Sequence, residues 1–151
     1  MNAKNKNLEG MLRDLLESRM LAVLATQRNG RPYASLVAFA ATQDFKEILF
    51  ATTRPTRKFA NMISEPHVAL LIDNRTNQVS DIHEAVAVTA LGTAEEVGEN
   101  ERAEALPIYL AKHPHLNEFV ASPTCALLRV RVDAYYMVSR FQEVMELHIQ
   151  P

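Results

Sequence analysis

Tryptophan is absent from the sequence, cysteine occurs once and glycine four times. The single cysteine, Cys125, excludes an intrachain disulfide and a multi-cysteine metal site, and it fits a reducing compartment, so the expected location is the cytoplasm. The glycines, Gly10, Gly30, Gly92 and Gly98, are too few and too far apart to form either glycine-rich nucleotide fingerprint, that of the dinucleotide fold or that of the phosphate-binding loop. Neither sign of charge is in excess: 16 Lys and Arg against 18 Asp and Glu leave a net charge of −2, so no global field draws nucleic acid or an anionic membrane. Without tryptophan, aromatics beside basic residues are also too sparse to stack a single-stranded nucleic acid. The five histidines, His67, His83, His113, His115 and His148, are scattered and form no dense ligand set, so no metal is expected. No apolar run approaches the roughly 18 residues of a membrane span, and the polar residues 1–7 lack the apolar stretch of a secretory signal. A soluble protein is expected.

What is present is an ordinary globular composition, 48% hydrophobic and 23% charged over 151 residues, enough for one domain with a sizeable core. Leu8, Met11, Leu12, Leu15 and Leu16 recur on one helical face, which predicts an amphipathic helix ending near Arg19. Residues 20–26 and 32–42 are extended runs joined by an Asn29-Gly30 turn, and residues 47–52 follow as a third antiparallel strand. Pro55 suits the first turn of a helix that buries Phe59, Met62 and Ile63 and ends at residues 64–66. Strands are expected over 67–73 and 84–97, separated by a polar loop, with a bulge or bend at Gly92. Residues 99–112 have helical composition with Ala103, Leu106 and Leu110 on the buried side, and Pro107 should kink or interrupt that helix. A short helix after Pro114 would bury Leu116, Phe119 and Val120. Leu128, Val130 and Val132 alternate with Arg129, Arg131 and Asp133 as in a half-buried strand, and residues 135–149 supply one or two more. Six or seven antiparallel strands with helical insertions favour a closed or nearly closed barrel, which removes exposed edges. An open α+β sandwich is the alternative; βαβ winding is disfavoured because the first connections are too short for parallel crossovers.

The chemistry concentrates where a strand passes into a helix. Residues 52–58 carry three hydroxyls, Thr52, Thr53 and Thr56, and three cations, Arg54, Arg57 and Lys58. Free amides at a helix start, the helix dipole and adjacent cations are the parts of a phosphate site. A solvated basic helix start capped by threonine has the same composition. The preceding strand carries Ala34, Ser35, Ala38, Ala40 and Ala41, small side chains against which a flat ring could lie, or which fill the taper of a narrow barrel. Cys125 begins an apolar strand with no His or Lys nearby and is expected to be a buried, inert thiol.

Leu24-Ala25-Thr26, Asn29 to Tyr33, Ile48 to Thr52, Thr56-Arg57-Lys58 and Glu65 to Leu71, in that order, resemble the pyridoxamine 5′-phosphate oxidase-like FMN-binding split barrels. The resemblance covers about residues 20–97. It implies a mainly β, antiparallel split β-barrel with helical insertions that binds FMN at the interface of a homodimer. It further implies that Ser35, Leu36, Val37 and Ala38 lie along the flavin, that Ala51, Thr52 and Thr53 meet the ribityl phosphate region, and that Thr56, Arg57 and Lys58 hold the phosphate. The polar loop 74–81, with Arg75, Asn77 and Gln78, would help close the site. The vitamin B6 oxidases of this group carry an Arg and a Lys where Ser35 and Ala40 stand, and a C-terminal extension rich in Arg, Pro and Trp, so oxidation of vitamin B6 is not expected here. The remaining short members include flavin reductases, deazaflavin-dependent reductases, haem-utilisation proteins and stress proteins.

The leading expectation is therefore an FMN-dependent oxidoreductase of unspecified small-molecule substrate, with the flavin carrying the electron or hydride chemistry. A flavin-binding sensor or stress protein without turnover is the second. Haem binding, with a histidine such as His148 as axial ligand, is the third.

Overall fold

The computed structural model describes residues 3–139 and 143–151. Seven strands and five α-helices follow in the order α1 (Ala3–Ser18), β1 (Leu21–Arg28), β2 (Arg31–Ala41), β3 (Glu47–Thr53), α2 (Arg57–Ser64), β4 (His67–Asp73), α3 (Asp81–Glu84), β5 (Val86–Glu96), α4 (Glu99–Lys112), a 3₁₀ turn (Pro114–Leu116), α5 (Asn117–Ala121), β6 (Cys125–Ser139) and β7 (Glu143–His148). All pairings are antiparallel, the sheet runs β3-β2-β1-β4-β5-β6-β7, and β3 returns to pair with β6. That last pairing closes six strands into a barrel and sets aside the open sandwich. β6 is long enough to serve two neighbours along one edge, β3 over residues 125–131 and β7 over 134–139. Residues 140–142, inside the expected strand stretch 135–149, lie outside the described residues.

Strand alternation sorts the side chains into two cores. Leu24, Phe39, Ile48, Phe50, Leu70, Ile72, Val88, Leu128 and Val130 fill the barrel, joined by Leu8, Leu12, Leu15 and Leu16 from the apolar face of α1 and by Met62 of α2. A second core lies outside the wall: Ala40, Leu49, Ala51, Cys125 and Leu127 face outward and are covered by Ala105, Tyr109 and Val120 of α4 and α5. The first part of β6 is thus buried on both faces, and Arg129 with it, instead of being half-buried as the alternation suggested. Arg129 is kept charged there by Glu95 at 2.7 Å and by Glu101. Cys125 is buried and unpaired, and burial pushes its thiol up.

Three local expectations are corrected. α4 runs through Pro107 without interruption; its buried side is Ala105 and Tyr109, while Ala103 is exposed. Pro55 stands before the cap of α2 instead of in its first turn, because Thr56 is the N-cap, and Ile63 is exposed, leaving Met62 buried and Phe59 partly buried. Phe119 is 40% exposed and Leu116 only partly buried, leaving Val120 as the buried residue of α5. The bend at Gly92 is real: the β5–β6 register shifts between Leu91 and Gly92, where a Cβ would stand 2.2 Å from the Arg131 carbonyl oxygen.

The helices leave one outer face bare. Leu36 of β2 is opposite Val23 of β1, Val23 is opposite Leu71 of β4, and the neighbouring Ala69 is opposite Leu91 of β5. Leu36 is 63% exposed, and Leu21, Leu71 and Leu91 are exposed with it. No helix among the described residues is long and apolar enough to cross a membrane.

Candidate functional site

The barrel wall is split between β2 and β3. These strands pair only through Phe39↔Phe50, Ala40↔Leu49 and Ala41↔Ile48. Beyond Ala38 the β2 strand belongs to β1, and beyond Phe50 the β3 strand belongs to β6, so each presents a backbone edge to the gap. The small side chains of Ala38 and Ala51 keep the gap open as a cleft of about 250 Å³. Leu36, Val37, Ala38, Ala51, Thr52, Thr53, Thr56 and Lys58 line it, as do Tyr109, Leu116 and Phe119. It sits at the border between the wall covered by α4 and α5 and the bare outer face.

The start of α2 forms the polar end. Thr56 Oγ1 accepts from the Phe59 amide and donates to the Thr53 carbonyl at 2.9 Å, and Thr52 Oγ1 lies 3.3 Å from it. Thr52 and Thr56 therefore fix the turn from strand to helix, and the amides of Arg57 and Lys58 have no intrahelical acceptor. The three cations have different surroundings. Arg54 makes two bonds to the Glu96 carboxylate, at 2.6 and 3.0 Å, which holds that carboxyl below its usual range and leaves the guanidinium neutralised. Lys58 faces the cleft, whereas Arg57 stands over the Tyr33 ring at 5.3 Å and faces an adjoining cleft with Arg28 and Arg31. Successive helical residues point about 100° apart, so the two cations flank the helix start from different sides. Neither makes an ion pair among the described residues.

Ser35 is the one expected lining residue that, with Arg57, falls outside the split cleft. It is partly buried, and its Oγ is sealed from solvent without a hydrogen-bond partner. Loop 74–81 is folded on itself: Arg75 pairs with Asp73 at 3.0 Å, and Asp81 accepts from the Thr76 and Asn77 amides. His148 is exposed beside Glu146 and does not line the cleft.

Sequence reasoning missed the wall from α4 and α5. Tyr109 donates to the Ala38 carbonyl at 3.0 Å, and burial pushes its phenol up to about 12, so it remains a donor. His113 Nε2 lies 2.7 Å from the Phe39 carbonyl oxygen. These two side chains pin α4 to β2 where that strand leaves β3. No local pattern in residues 99–121 marks them as a wall of this cleft, since Phe119 and Leu116 read as core residues of a short helix.

A family model for pyridoxamine 5′-phosphate oxidase matches residues 8–139. No curated protein matches the sequence. Among solved structures, a haem-binding protein from Mycobacterium smegmatis superposes with a TM-score of 0.81 at 17% identity over 93% of this chain, which spans 57% of that protein's length. An FAD-binding protein from Mesorhizobium loti has a TM-score of 0.68 at 16% identity, covering 84% of this chain and 89% of its own. General stress protein 26 from Bacillus anthracis has a TM-score of 0.69 at 17% identity, covering 95% and 99%. At such identities these likenesses concern the fold.

Proposed function

The chain belongs to the pyridoxamine 5′-phosphate oxidase family, with its split-barrel fold, and from that premise we propose that it is an FMN-binding redox protein, a flavin-dependent oxidoreductase acting as a homodimer in the cytoplasm. The observation that carries the reading is the split between β2 and β3, which joins two open backbone edges to a helix start bearing unpaired cations. The residues present fit the cofactor. Lys58 lines the cleft beside the free amides at the start of α2, where an anion would meet both, and Arg57 stands on the other side of the same helix start. In this reading Lys58, Arg57 and the amides at the start of α2 hold the phosphate, Ala51, Thr52, Thr53 and Thr56 border the ribityl chain, and Ser35, Leu36, Val37 and Ala38 lie along the ring. FMN, when bound, supplies the electron or hydride chemistry. The chain's own residues bind and orient it: Tyr109 and His113 hold β2 in place, and Phe119 and Leu116 keep water from one side.

The cleft of about 250 Å³ is smaller than the roughly 300–1,000 Å³ of ligand sites and is open toward the bare apolar face. A second copy seated on that face supplies the missing wall, and a two-fold axis makes two equivalent sites. The buried, unpaired Cys125 fits a reducing cytoplasm. The visible spectrum of the purified protein, with and without added FMN, is the direct test. Flavin bands from protein-bound FMN are expected, with bleaching by a reduced nicotinamide and recovery in air if the protein turns over. Stable flavin bands without bleaching would make it a binding protein of the sensor or stress type. A Soret band, or no uptake of FMN, would overturn the reading.

A further inference from the structure

On the far side of α4 lies a cleft of about 570 Å³ between α1, α4 and the β2–β3 loop, with no part in the flavin reading. Its walls are apolar, formed by Leu16, Ala40, Ala41, Phe45, Ile108 and Ala111, and its polar groups converge from α1 and α4 as Arg13, Glu17 and Lys112. Volume and composition are those of a small-molecule site: apolar walls with a few polar groups that fix orientation. Phe45 forms its wall from a backbone with φ +66°, a conformation an aromatic residue adopts only when its surroundings enforce it. The Phe45 carbonyl is held by the Tyr135 hydroxyl at 2.7 Å.

The two cations lack anionic partners. Lys112, the last residue of α4, donates to the Leu16 carbonyl at 2.8 Å and stands 3.8 Å from the Phe39 ring centre, which leaves at least one of its three donors for a guest. Arg13 lies 4.5 Å from the Phe45 ring centre and gives one N–H to the Gln43 carbonyl, with further donors free. Neither makes an ion pair among the described residues. Burial pushes the Lys112 ammonium down to about 8, and the exposed Glu17 at the rim only partly offsets this. A half-buried ammonium whose nearest carboxylate stands at the solvent rim, outside ion-pair distance, is costly, and an anion in the cleft would relieve that cost.

We propose that this cleft binds a small apolar carboxylate, an aryl or medium-chain alkanoate, with its carboxylate on Lys112 and Arg13 and its apolar body against Ile108, Ala111 and Phe45. Ile108, 40% exposed on the outer turn of α4, is the apolar surface such a guest would cover. Octanoate titrated into the isotope-labelled protein should shift the amides of Gln43, Ile108 and Ala111 saturably and with one-to-one stoichiometry, whether or not FMN is bound. Octan-1-ol, the same chain without the charge, should bind at least about tenfold more weakly. Lys112→Met should weaken octanoate by a similar factor. Because Lys112 also caps α1, Ala111→Phe provides the second variant: it fills the cleft from an exposed position while leaving both cations in the chain, and should abolish the saturable shifts while the circular dichroism stays unchanged. Absent shifts, equal affinity for octanoate and octan-1-ol, or undiminished binding in folded Ala111→Phe would each overturn the proposal.

Discussion

His113 is 1% exposed, with Nε2 against the Phe39 carbonyl and Nδ1 buried without a partner. The hydrogen bond assigns the proton to Nε2 in the neutral ring. Burial, and then the nearby Lys112 and His115, hold its pKa below the ordinary histidine value, outweighing the bond to Phe39. The unfolded chain takes up this proton near pH 6.5, so the His113 contribution to stability is fully present above that value. It is lost as pH falls from there toward the lower folded value, at up to about 1.4 kcal/mol per pH unit. Urea unfolding at pH 7.5 and pH 5.5 should show this loss, and His113→Gln, which keeps a donor but cannot titrate, should reduce it. An equal loss in both proteins would remove His113 from the account. At this scale the site was half legible. Ala51, Thr52, Thr53 and Thr56 stand next to the cations in the chain, so their grouping could be read there. Tyr109 is 71 positions beyond Ala38, and only tertiary packing brings them together. The different directions of Arg57 and Lys58 were equally hidden, since adjacency in sequence says nothing about which cleft each side of a helix meets.

The elements were legible wherever local pattern and tertiary burial agree. β1 and β2 follow from their extended runs and the Asn29-Gly30 turn, whose residues have φ of +54° and +75°. β6 was misread as half-buried because α4 and α5 cover its outer face, and no local signal reports a cover that arrives from elsewhere in the chain. Pro107 was expected to kink or interrupt α4, and the helix continues through it without interruption, with Ala105 and Tyr109 packed against the outer core. Gly92 is an element-scale requirement: any Cβ there meets the Arg131 backbone, so β5 and β6 would have to separate. Gly92→Ala should therefore lower the stability by about 1–3 kcal/mol, the usual cost of overpacking. Gly10, in α1 with nothing within 4 Å of its Cβ position, is the matched control. Gly10→Ala should be neutral or stabilising by up to about 1 kcal/mol. Denaturation midpoints of the two variants measure the difference; a tolerated Gly92→Ala would contradict the close approach at the bulge.

At the scale of the whole molecule, the split cleft and the bare apolar face are two parts of one arrangement, because the cleft opens where helical cover stops. Sedimentation at micromolar concentration should give a mass near twice 17.0 kDa. Leu71→Asp, in the row that runs through Leu36 and Val23, should halve that mass and weaken FMN binding with it. A monomeric wild type that retains FMN would separate the two features. Closure of the barrel was legible only as a preference for removing sheet edges; the β3–β6 pairing that achieves it joins strands more than seventy residues apart. The site itself is tested most directly by equilibrium titration of FMN and of riboflavin, followed by quenching of flavin fluorescence, in the wild type and in Lys58→Ala. If charge-assisted hydrogen bonds hold the phosphate, FMN should be the tighter ligand by roughly 10- to 150-fold, and Lys58→Ala should remove most of that preference while Arg57→Ala, whose side chain faces the neighbouring cleft, should remove less. Equal affinities for FMN and riboflavin in the wild type, or an FMN affinity unchanged when both cations are replaced by alanine, would contradict the assignment of the phosphate to the start of α2.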